Sequence, residues 1–198
     1  MLKSKPIQMK TTNFTPEESF QLIDSVIQKA KSRFEENGIP FILWGVIIAL
    51  CSYAQAYMIS VNMSRESWYP YLIMPFVGIG LIIYYYNKKK NSTPNPLASI
   101  YGRLWQFVGL NIMLIAFGFN GYLQNNLVPI ILLLMGIATL LSGSFIKSKV
   151  LFFSGLIINT SAFISFFLSW EQQPLLMGTV SIFALLIPGI LLRLNHKK

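Results

Sequence analysis

Six long apolar stretches leave this chain few ways to fold: Pro40–Val61, Tyr69–Tyr86, Leu104–Leu123, Leu127–Ile146, Val150–Trp170 and Pro174–Leu192, none with a charged residue or a histidine at its centre. Each is close to the roughly 20 residues a helix needs to cross the hydrocarbon of a bilayer. Helices at a soluble surface carry one polar face, and these stretches do not. In lipid the backbone must satisfy its own hydrogen bonds, which selects helix. A hydrophobic content of 54% against 12% charged residues agrees. The expected fold is an all-α membrane protein with six transmembrane helices in three antiparallel hairpins, preceded by a cytoplasmic amphipathic helix. Residues 1–38 form the N-terminal segment and 39–198 the six-helix transmembrane domain. The turns Gln124–Asn126, Lys147–Lys149 and Glu171–Gln173 are short enough to force antiparallel neighbours.

The net charge of +9 raises nucleic acid as a partner, but topology accounts for it. Lys3, Lys5, Lys10, Lys29, Lys31 and Arg33 precede the first stretch. Lys88, Lys89, Lys90 and Arg103 separate the second from the third, Lys147 and Lys149 the fourth from the fifth, and Arg193, Lys197 and Lys198 follow the sixth. Only Arg65 falls on the other side. This is the positive-inside pattern, and it sets both termini in the cytoplasm. Trp44, Trp68, Trp105 and Trp170 fall near the ends of the stretches, where amphipathic rings prefer the headgroup region. No nucleic acid is expected. The bilayer itself is the first partner.

The catalytic repertoire is thin. The single histidine, His196, is in the C-terminal tail, and Glu66 and Glu171 lie in outward loops. Cys51 is the only cysteine, so no intramolecular disulfide or cysteine cluster forms. Intramembrane enzymes and ion-coupled pumps use ionisable groups at depth, and these six stretches have none. The expectation is a non-enzyme with no cofactor and no metal. The polar residues at depth are Gln55, Asn111, Asn120 and Asn159, with Gln106 and Gln124 nearer the ends. On a regular helix Gln106, Asn120 and Gln124 share a face, and Asn111 points about 140° away. That pattern favours separate interhelical hydrogen bonds over a polar path, although a cavity lined by Gln55, Asn120 and Asn159 stays open. Gly136, Thr139 and Gly143, and Ser154, Ser161, Ala162, Ser165 and Ser169, form small-residue seams for close helix packing. Pro75 and Pro188 are candidate kinks.

Ahead of the first stretch stands a differently built helix, over about residues 15–37. Thr15 is placed to cap it, Pro16 suits its first position, and Glu18 can complete a capping box. Phe20, Ile23, Val26, Ile27, Ala30 and Phe34 follow at helical spacing and make one apolar stripe. Helices that bind anionic lipid carry a basic polar face, whereas here Glu17, Glu18, Asp24, Glu35 and Glu36 outnumber Lys29, Lys31 and Arg33. The stripe therefore suits protein better than lipid. Its partner is the chain's own bundle, another subunit of a homo-oligomer, or a separate cytoplasmic or membrane protein. "TPEES", an amphipathic helix, and then "FILWG" opening the first stretch resemble a group of small uncharacterised bacterial multi-pass membrane proteins. The resemblance covers mainly residues 14–45 and implies a bacterial inner membrane, with no active residues to carry over. The expected function is regulatory or scaffolding, with the N-terminal helix docking a partner. The alternative is a small transporter or permease-like protein for a neutral or lipophilic solute.

Overall fold

The structure is a computed structural model and describes residues 15–25, 38–89, 96–145 and 147–195. All regular structure among these residues is helical. The α-helices are α1 (16–25), α2 (Ile39–Ser60), α3 (Ile73–Lys89), α4 (Pro96–Met113), α5 (Asn120–Leu123), α6 (Leu127–Phe145), α7 (Lys149–Ser165), α8 (Gln173–Ser181) and α9 (Ile187–Asn195). Four helical stretches are long and apolar enough to cross a membrane: Ile39–Ser60, Ile100–Gly118, Asn120–Phe145 and Gln173–Leu194. Tyr69–Tyr84 and Lys149–Ser165 are shorter apolar helices. The 17 residues of α7 rise only about 26 Å, short of the roughly 30 Å hydrocarbon core. The expected fifth stretch ran on to Trp170, but the helix gives way to turns after Ser165.

Three of the apolar stretches depart from a regular helix. Pro70 lies in the first turn of a 3-10 helix, Tyr69–Leu72, that precedes α3. Pro75 then falls in the first turn of α3, where a missing N–H costs no helical bond, so it is no kink. Pro188 behaves differently. Its ring cannot donate to the carbonyl four residues back, and a π turn, Ile182–Leu186, lies immediately before it, with Ile187 N–H donating to the Ile182 carbonyl. A second π turn, Leu114–Gly118, separates α4 from α5. It removes the regular 100° step on which Gln106, Asn120 and Gln124 share a face.

Packing follows the glycines. α6 and α7 form the closest helix pair. A Cβ added at Gly136 would meet the Asn159 backbone N at 2.8 Å, and one at Gly143 would strike the Phe152 backbone. Their connection ends α6 in a Schellman motif, in which Ser148 N–H reaches the Gly143 carbonyl at 2.9 Å and Lys147 N–H the Ser144 carbonyl at 3.3 Å. The main neighbours of α2 are α8, the π turn Ile182–Leu186 and α9. Gly45 allows this crossing, since a Cβ there would sit 2.6 Å from Leu186 N. The first apolar stretch thus packs mainly on the last, and meets the second only through the start of that stretch.

The core they enclose includes Ile48, Leu132, Ile158, Ala162, Val180 and Leu185. α4 leans on this bundle through Trp105, whose Nε1–H donates to Ser142 Oγ at 3.3 Å and whose ring meets Phe41 edge-on at 6.0 Å. α3 packs substantially only on the 3-10 turn before it.

The connection after α2 is a further departure. Asn62, with φ of 62°, ends the helix in the same Schellman form, with Met63 N–H on the Met58 carbonyl at 2.8 Å. The chain then folds back along α2. Cys51 Sγ–H donates to the Pro70 carbonyl at 3.1 Å, and Tyr71 O–H to Ser52 Oγ at 3.1 Å. Ser52 lies about 12 Å below Ser60 along the helix. The expected outward loop, Asn62–Trp68, is therefore the start of a returning segment, and Ser67 within it is buried.

Candidate docking helix and intramembrane polar contacts

The local bonds that start α1 are the ones its spacing predicts. Glu18 N–H donates to Thr15 Oγ1 at 3.2 Å, and Thr15 N–H to Glu18 Oε2 at 2.9 Å. This reciprocal pair is a capping box, which satisfies two donors that the helix itself leaves without partners. The cap sets where the helix begins and hence which side chains share its apolar side. Phe20 is 73% exposed and Ile23 55% exposed. Leu22, which the stripe did not include, is also exposed. Val26, Ile27, Ala30 and Phe34 lie outside the described residues. Glu17, Glu18 and Asp24 make the described part of the helix acidic. The result is an acidic helix with an uncovered apolar edge.

The four polar residues expected at depth differ in burial. Gln55 is half-buried on α2, and Asn159 is half-buried on α7, where its backbone meets Gly136. Asn120 is exposed at the start of α5. Asn111 is exposed and donates through Nδ2 to the Phe107 carbonyl of its own helix at 2.8 Å, which satisfies part of the amide without a neighbour. A void of about 10 Å³ in the core is lined by residues such as Ile48, Met135, Ile158 and Leu185, and by none of these four. It has room for about one water. Among the described residues no three His, Cys, Asp or Glu side chains are placed to share a metal ion.

Sequence reasoning placed Gln173 in the short turn Glu171–Gln173. It is buried, and its Nε2 donates to three backbone carbonyls: Asn125 at 2.7 Å, Ser165 at 3.3 Å and Leu168 at 3.3 Å. Two N–H bonds shared among three acceptors tie the α7–α8 connection to the turn before α6. The sequence signal was available but faint: a glutamine followed by proline at the start of an apolar helix. Tyr53 O–H and Thr179 Oγ1, 3.1 Å apart, link α2 to α8 in a comparable way. Ser165 itself is fully buried, and its Oγ has no partner. The small-residue seam is otherwise buried as expected at Ser154, Ser161 and Ala162, and Ser169 is exposed. Comparison with protein families, with curated proteins and with solved structures gives no match.

Proposed function

We propose that this chain is a non-enzymatic bacterial inner-membrane protein, crossing the membrane six times with both termini in the cytoplasm. In this reading it is a regulatory or scaffolding component whose N-terminal helix docks a cytoplasmic or membrane protein. The observation that carries it is the exposure of Phe20 and Ile23 on a helix with a closed capping box. An isolated helix of this length is marginal in water, and a docked one gains roughly 1.5–3 kcal/mol for each large apolar side chain it buries. The acidic polar side favours a protein surface over the anionic inner leaflet. The two shorter apolar helices complete six crossings when flanking turns make up their length. Support for docking over the transport alternative comes from the core, where the void at Ile48 and Ile158 measures about 10 Å³.

The test is site-specific photocrosslinking from Phe20 in native membranes, with partner recovery quantified. Ile23→Glu should weaken the crosslinked association by about a hundredfold, through lost burial and an unpaired carboxylate. The transmembrane domain should melt unchanged. Glu17→Gln, on the polar side, should retain the partner. If Ile23→Glu instead lowers the melting temperature of the bundle, the stripe packs on its own chain and the docking reading fails.

A further inference from the structure

Where α2 begins and α9 ends, the two helices touch through backbone. Gly38 lies against the Gly189 carbonyl, and a Cβ on it would come within 3.4 Å of Arg193 N. Beside this contact opens a cleft of about 260 Å³, lined by Ile42, Ile190, Leu194 and Arg193. Three of the lining residues are aliphatic and the fourth is an exposed arginine. The first turn of α2 carries no acidic residue. Glu66 and Glu171 stand beyond the opposite ends of α2 and α8. Among the described residues no carboxylate pairs with Arg193. The cleft thus joins an arginine with no carboxylate partner among the described residues to an aliphatic surface, at the end of the bundle where the basic residues put the cytoplasm.

We infer that this cleft binds an anionic phospholipid of the inner leaflet, with the phosphate on Arg193 and the first acyl carbons along Ile42, Ile190 and Leu194. Charge complementarity selects the head, because an arginine fork matches phosphate oxygens in a plane, and a phosphate is the anion that a membrane surface supplies. The aliphatic walls select the tail. A soluble anion would leave them wet, whereas an acyl chain covers them and has no backbone groups to satisfy. A cleft of this size is below that of a drug-sized pocket and fits one chain segment. The inference rests on the inner-face orientation proposed above, but it needs no docking partner.

Native mass spectrometry of the detergent-purified full chain, titrated with phosphatidylglycerol and with phosphatidylcholine of identical acyl chains, tests it. The wild-type chain should retain one phosphatidylglycerol in preference to phosphatidylcholine. Arg193→Gln should reduce that preference about fivefold, the worth of one basic contact at an anionic surface. Ile190→Trp, which fills the cleft from an exposed position, should reduce retention of both lipids without lowering the melting temperature. Unchanged preference in Arg193→Gln, or unchanged retention in Ile190→Trp, would overturn the site. So would a Glu35→Gln, Glu36→Gln double variant that gains phosphatidylglycerol, since the chain's own carboxylates would then be the occupant. A reporter after Lys198 reads the orientation separately: an outside signal would overturn the leaflet assignment.

Discussion

Lys147 holds a backbone conformation that suits glycine. Its φ of 52° places it at the left-handed position of the Schellman motif ending α6, where a Cβ costs roughly 1–2 kcal/mol. Asn62 occupies the same position after α2, with φ of 62°, and asparagine tolerates it. Lys147→Gly should therefore raise stability by about 0.5–1 kcal/mol, after the added flexibility of the unfolded chain is set against the relieved strain. Thermal melting in detergent reads the difference, and an unchanged or lowered midpoint would contradict this account of the turn. Gly143 makes the opposite case. Alanine there must push its methyl into the Phe152 backbone, and the α6–α7 pair should lose about 1–3 kcal/mol. Gly109 of α4 meets nothing within 4 Å of an added Cβ. Gly109→Ala is the matched control and should leave melting unchanged or slightly raised.

Among the elements, the connection between α7 and α8 depends on one amide. Gln173→Leu keeps the volume but strips the donor from the carbonyls of Asn125, Ser165 and Leu168. Losing these buried and part-buried bonds should cost about 0.5–1.5 kcal/mol, and amide exchange should quicken in 124–126 and 166–172 first. Uniform exchange across the bundle would mean that the amide is not a local tie. The sequence showed some of these elements and hid others for physical reasons. The Thr15–Glu18 capping box was legible because a cap is a local bond between residues three apart. The Gly136 and Gly143 seam was legible because small residues in an apolar helix imply a near neighbour. Hydropathy averages over a window, so it merged α4, the π turn and α5 into one span. It also could not show Gln173 turning inward, because the carbonyls it serves lie up to 48 residues away. Pairing of stretches was the largest miss. Short connections suggest sequential neighbours, but close approach at Gly45 and Gly189 decides them, and that depends on shape at both surfaces.

At the scale of the whole molecule, α2, α6, α7 and α8–α9 form a packed unit, while the glycines of α3 and α4 (Gly78, Gly80, Gly102, Gly109) open onto space. Orientation is the prediction that belongs here. Reporter fusions after Lys90, Lys149 and Lys198 should read inside, and a fusion after Met63 outside; termini on opposite sides would refute six crossings. The pairing of α2 with α8 and α9 also bears on time. Tyr53 and Thr179 are 126 residues apart in the chain, and a ribosome adding 5–20 residues per second takes on the order of ten seconds to cover that distance. Throughout that interval the first helix waits with its seam for the last one unfilled. A chaperone or a protease has that long to engage it, and a chain released short of Gln173 lacks the helix that fills the seam.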